Sequence, residues 1–206
     1  MSSLIPEKES LYRYEILGSS FIALLEPLEK EEDLASLLGA IKDRYPKASH
    51  YCYAAKVLSF EACTDDGEPS RSAGVPLLDL LHKKEIAYGL IVVVRYFGGT
   101  KLGAARLART YRETAAECLN QAAFAEIIPG LEEEIEVDYP TFESLKKSAL
   151  RAGLSLKVLS FGERVRLLLT GDAKIVSSFV SALPNGSAKN ERSISVKRSL
   201  NHDSKQ

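Results

Sequence analysis

The feature that most restricts this chain is the stretch at 88–94, YGLIVVV, in which no polar residue alternates with the apolar ones. A strand with one wet face would read apolar and polar by turns, so this run predicts a central strand buried within a sheet. Its aliphatic part, LIVVV, is the longest in the chain and far short of the ~20 residues of a membrane-spanning helix. No membrane partner is expected. Arg95, Tyr96, Phe97, Gly98 and Gly99 follow at once, and then the clearest helical pattern. Ala104, Leu107, Ala108, Tyr111, Ala115, Cys118, Leu119 and Ala122 recur on one face, with Arg106, Arg109 and Glu113 on the other.

Residues 11–17 and 20–25 alternate partially around Gly18 and predict a hairpin. From Glu29 the spacing of Leu34, Leu37, Leu38 and Ile41 predicts a helix that ends at Tyr45-Pro46. Residues 49–60 suggest one or two strands. A polar loop at 64–74 is dense in turn residues, and Pro76 is placed as the first position of a short helix through Leu81. Pro129-Gly130 reads as a break, and a second set of signals follows. It comprises a strand at 131–137, a helix at 141–152, paired strands at 154–160 and 165–170, a helix capped by Asp172 and ended by Pro184-Asn185-Gly186, and a strand at 193–196. The expected class is α+β in two domains, 1–128 and 129–200, with a frayed tail at 201–206. The second has the βαββαβ order of ferredoxin-like domains.

Charge narrows the function classes. The 206 residues carry a net charge of -1, which exerts no global pull toward nucleic acid or acidic lipid, so such a partner must be met by a local patch. One exists: Arg95, Lys101, Arg106, Arg109 and Arg112 lie in an 18-residue segment with no Asp or Glu. Gly98, Gly99 and Gly103 precede the helix, so its free N–H groups form an anion site with Lys101, or the glycines simply make a tight turn and the arginines are solvated. Residues 1–128 hold 15 Lys and Arg against 18 Asp and Glu, so the patch must be one-sided to work.

Asp65, Asp66 and Glu68, with Gly67 and Gly74, form a second motif. Their spacing is not that of a calcium loop, and the plainer reading pairs these carboxylates with Arg95 or Lys101 to hold the loop against the glycine turn. His50 and Cys52 would share one strand face, but further ligands for a metal are missing nearby. Cys52, Cys63 and Cys118 are too few for a disulfide framework, which suggests a reducing, cytoplasmic home. Cys118 falls on the apolar helix face and reads as core. Neither a metal nor a cofactor is expected, and no familiar catalytic motif occurs.

These residues resemble a known family. DDGEPSRSAGVPLLDLL at 65–81 and VVVRYFGGTKLG at 92–103 look like the signature of the YigZ/Impact family, with SHYCYA at 49–54 and SSFIA at 19–23 in support. The resemblance implies a first domain like ribosomal-protein S5 domain 2 and a second like domain V of the translocation elongation factor. Eukaryotic members are translational regulators, and no catalytic residues carry over. This chain departs from the usual pattern at Arg71, Ala105 and Arg106, where glycine is common.

The first expectation is therefore a non-enzymatic, translation-associated protein that meets RNA or the ribosome through Arg95, Lys101, Arg106 and Arg109, with Tyr96 or Phe97 placed to stack on a base. The alternative is an enzyme acting on a small phosphorylated or carboxylated molecule, with the anion at Lys101 and Asp65 or His50 as base. A third reading docks a protein partner on the second domain's sheet.

Overall fold

The computed structural model describes residues 3–183 and 187–200; the Pro184-Asn185-Gly186 stop and the tail from 201 lie outside them. The chain divides into two compact units, one running through Glu126 and taking the chain back at Ser199, the other Ile127–Arg198.

In the first unit, β1 (Ser3–Pro6) precedes a five-stranded sheet of β2 (Ser10–Ile16), β3 (Ser19–Pro27), β4 (His50–Val57), β5 (Phe60–Thr64) and β6 (Tyr88–Tyr96). The order is β2-β3-β6-β4-β5, antiparallel at every pairing. β6 is thus central, and the absence of alternation in its sequence has a direct cause. Ile91 and Val93 pack on one face against α2 (Gly74–Lys83) and α3 (Ala104–Gln121), while Leu90, Val92 and Val94 pack on the other against α1 (Leu34–Arg44). Both faces are dry, so neither calls for polar residues. The α3 stripe of Leu107, Tyr111, Ala115, Cys118 and Leu119 is buried as its spacing requires.

The short helix differs from expectation at its start. α2 begins at Gly74, ahead of Pro76, because the Asp65 carboxylate accepts from the N–H groups of Ala73 (2.8 Å) and Gly74 (2.9 Å) and so caps the helix from across the loop. Pro76 still sits in the first turn, where its missing N–H has no intrahelical partner to lose.

The second unit runs through β7 (Phe124–Val137), α4 (Tyr139–Arg151), β8 (Ser155–Phe161), β9 (Val165–Asp172), α5 (Ala173–Ser181) and β10 (Ser187–Ser199). β9 pairs antiparallel with β7 and β8, and β10 pairs with β7. Ile135, Val137, Phe142, Leu145, Leu167, Leu169 and Val176 form its core. Asp138 and Asp172 cap α4 and α5 by accepting from backbone N–H groups. β7 continues straight through Pro129-Gly130, where the sequence reads as a break: Pro129 is exposed, and Gly130 leaves space that a Cβ would take from Val196. β10 is also longer than the 193–196 stretch that periodicity suggests.

Candidate functional site

The end of β6 organises the site. Arg95 follows Val93 by two residues and therefore points to the face covered by α2 and α3. Its register partners are His50 on β4 and Phe21 on β3, so Phe21, Arg95 and His50 form one row across the sheet. A guanidinium in that position must be compensated. Nη1 of Arg95 donates to Oε1 of Glu68 at 2.5 Å, and both side chains are only 5% exposed. Tyr111 of α3 donates to the same oxygen at 2.7 Å, and the guanidinium stacks 5.1 Å from the Phe21 ring centre and 5.3 Å from that of Phe97. Burial pushes the Tyr111 hydroxyl far above its ordinary range, so it remains a donor.

The other loop residues are also engaged. Asp65 accepts from the N–H groups of Arg71, Ala73 and Gly74 within 2.9 Å. Burial alone would raise this carboxyl, but the backbone donors, led by Ala73, override it and hold the group below the usual carboxylate range. Asp66 accepts from the Tyr51 N–H at 2.6 Å, and its carbonyl lies 2.7 Å from Nδ1 of His50. The carboxylates therefore serve separate partners, as the pairing reading expects for Glu68, and Gly67 makes the turn between them. Arg71 adopts a φ of 61°, the left-handed region that a glycine would enter without strain. Cys52 is buried, its thiol pushed up to about 12 by burial, and Cys118 is likewise raised by burial to about 11.

The segment after β6 is held at its near end and open at its far end. Phe97 and Gly98 donate N–H to Ser49 Oγ (3.0 Å) and Ser19 Oγ (3.1 Å). A Cβ on Gly98 would fall 2.0 Å from the Gly18 carbonyl carbon, so only glycine permits this approach. The backbone leaves the sheet after Tyr96, and Gly103, at φ 75°, turns it into α3 with no side-chain cap. The first helical bond is Leu107 N–H to Gly103 carbonyl, 2.9 Å. The N–H groups of Ala104, Ala105 and Arg106 therefore have no partner within the helix. Lys101, Arg106 and Arg109 are exposed, and Tyr96 is half-buried, its hydroxyl donating to the Pro46 carbonyl at 3.2 Å.

The two motifs meet in a cleft of about 380 Å³ lined by His50, Glu68, Pro69, Arg95, Phe97, Lys101, Leu102, Gly103, Ala104 and Leu107. Arg106 lies outside this lining, and Arg109 and Arg112 line a separate groove with Asp79 and Glu113. The basic segment is thus divided in space. Arg95, placed by its sequence among the phosphate-facing cations, is a buried partner of Glu68 instead, because strand alternation turns it toward the core. Tyr111 and Phe21 are essential to that partnership and are invisible as site residues in the sequence, although a tyrosine on an apolar helix face signals a hydroxyl that must find an acceptor.

Comparison with known proteins places this architecture. The Impact N-terminal domain matches residues 17–119, which contain both motifs and the cleft. The IMPACT family member YvyE of Bacillus subtilis is 29% identical over 89% of this chain and 88% of its own length. The IMPACT family member YigZ of Escherichia coli is 30% identical over 67% of this chain and 70% of its own. A solved structure described as a hypothetical protein superposes with a TM-score of 0.63 at 24% identity, over 91% of this chain and 96% of that one. The chain belongs to the Impact family.

Proposed function

We propose that the chain is a translation-associated regulatory protein that meets RNA, on the ribosome or with a translation partner, through Lys101, Arg106 and Arg109. The observation that carries the reading is the exposed, acid-free segment that opens α3, where an uncapped helix N-terminus adds its dipole to the positive charges of the side chains. Family membership supports it, since the resemblance implies translational regulation in eukaryotic members. Arg95 contributes by fixing Phe97 beside this surface. The described helices include none long and apolar enough to cross a membrane. On this reading the first domain, 1–128, takes the S5 domain 2 fold, the second, 129–200, is ferredoxin-like, and the protein works in the cytoplasm.

Sedimentation with ribosomes at low and moderate salt is the test. Binding should fall steeply with salt, and the double variant Lys101→Glu/Arg109→Glu should lose about two phosphate contacts, flattening the log–log salt slope by roughly 1.5. Unchanged co-sedimentation of the folded double variant would remove this surface from the proposal.

A further inference from the structure

The cleft between the two motifs has more chemistry than a phosphate-facing surface needs. At one end are Lys101, Gly103 and Ala104, where α3 begins without a side-chain cap. Arg95 belongs to the same lining. Its side chain is 5% exposed and its Nη1 is taken by Glu68, yet its Nε has no hydrogen-bond partner among the described residues. Buried donors are ordinarily satisfied, so this unmatched cationic one leaves the wall of the cleft one hydrogen bond short.

The other end differs in sign. Nδ1 of His50 lies 2.7 Å from the Asp66 carbonyl, and a carbonyl oxygen can only accept, so Nδ1 carries the proton of the neutral ring. That leaves Nε2 as an acceptor. It sits 3.8 Å from Oε1 of Glu68, too far for a hydrogen bond. Pro69, Phe97, Leu102 and Leu107 supply apolar walls, and Phe97 is 45% exposed. A volume of about 380 Å³ is within the range of pockets that hold small molecules and far too small for a helix of RNA.

We propose that this cleft binds a phosphorylated sugar or nucleotide, with the phosphate at Lys101 and the start of α3 and a ligand hydroxyl donating to Nε2 of His50. The inference rests on the phosphate-binding reading above, whose Lys101 and helix terminus it shares, and adds the hydroxyl-bearing small body. The phosphate belongs either to a free metabolite or to the terminal nucleotide of an RNA strand.

Calorimetric titration of the full chain, without ribosomes, separates the possibilities. The probes are inorganic phosphate, ribose 5-phosphate, adenosine, adenosine 5′-monophosphate and a short RNA with and without a 5′-phosphate. At least one of the two phosphorylated sugars should bind roughly tenfold or more tightly than inorganic phosphate and than adenosine. His50→Ala should erase the advantage over inorganic phosphate while leaving inorganic phosphate itself unaffected, and Lys101→Ala should weaken both. If His50→Ala does not fold, His50→Gln, judged folded by an unchanged melting temperature, replaces it. Displacement of the bound sugar phosphate only by the 5′-phosphorylated RNA would assign the ligand to strand ends, and failure of that RNA to compete would assign it to free metabolites. The proposal is overturned if neither sugar phosphate outbinds inorganic phosphate, or if the folded His50 variant binds them as the parent does. Because no ribosome is present, either failure leaves the co-sedimentation result standing, and a negative co-sedimentation leaves this titration standing.

Discussion

Two polar, glycine-containing loops lie at opposite walls of one cleft and have opposite economies of hydrogen bonding. In the loop at 65–74 the carboxylates are satisfied: Asp65 by three backbone donors, Asp66 by Tyr51, Glu68 by Arg95 and Tyr111. In the segment at 99–106 the polar groups face outward, with an uncapped helix start and exposed Lys101 and Arg106. Charge content alone makes the first loop look as chemical as the second. What separates them is whether the charged groups already have their partners, because a satisfied group has little left to offer a ligand, and an unsatisfied one has little to contribute to the fold.

The contrast is open to direct attack. The largest effect is expected from Glu68→Ala, which leaves Arg95 buried without its counter-charge and Tyr111 without its acceptor; urea denaturation should show a loss of about 3–5 kcal/mol. The double variant Glu68→Leu/Arg95→Met should recover most of it, because it removes both charges. A Glu68→Ala loss below about 1 kcal/mol would end the description of this loop as a structural lock.

A smaller loss, about 1–3 kcal/mol at pH 7, is expected for Asp65→Asn, which weakens the carboxylate's hold on three backbone donors. The pH dependence follows from its lowered folded value. A depressed carboxyl contributes its full stability above its unfolded pKa, near 4, and loses it as pH falls through the folded value. Stability measured from pH 6 down to pH 2 should therefore fall less steeply in the variant than in the parent. Equal acid limbs would deny Asp65 this role.

Smallest of all is the expected effect of Lys101→Ala on stability, within about 0.5 kcal/mol, since its ammonium has no ion-pair partner among the described residues. A melting temperature unchanged while ligand affinity falls would sharpen the division between the two loops; a large loss of stability would dissolve it.

Much of this site is legible in the order of residues. The segment free of acids, the glycines and the unbroken apolar strand are local features, and the helix face of Leu107, Tyr111 and Cys118 appears where a period of 3.6 puts it. The position of Arg95 was legible too, since it shares a strand face with Ile91 and Val93, but a nearby row of cations makes it easy to read as one of them. The α2 start was not legible, because its cap arrives from Asp65, nine residues ahead of Gly74. At Pro129-Gly130, close to the division between the two units at Ile127, the strand itself does not break: turn residues interrupt an element only where the surroundings do not hold the chain extended, and β7 is held by β9 and β10.

The sequence by itself determined most of the elements, their order and the identity of the central strand, because periodicity and turn chemistry act over a few neighbouring residues. Tertiary structure decided which charges are available. Glu68 and Arg95 stand 27 positions apart and Ser19 and Gly98 stand 79 apart, and they meet only because β3, β6 and β4 are adjacent in the sheet and α3 folds across them. No local pattern encodes such a meeting, since the energy of a buried ion pair or of two glycines in contact depends on the neighbours that the completed sheet supplies.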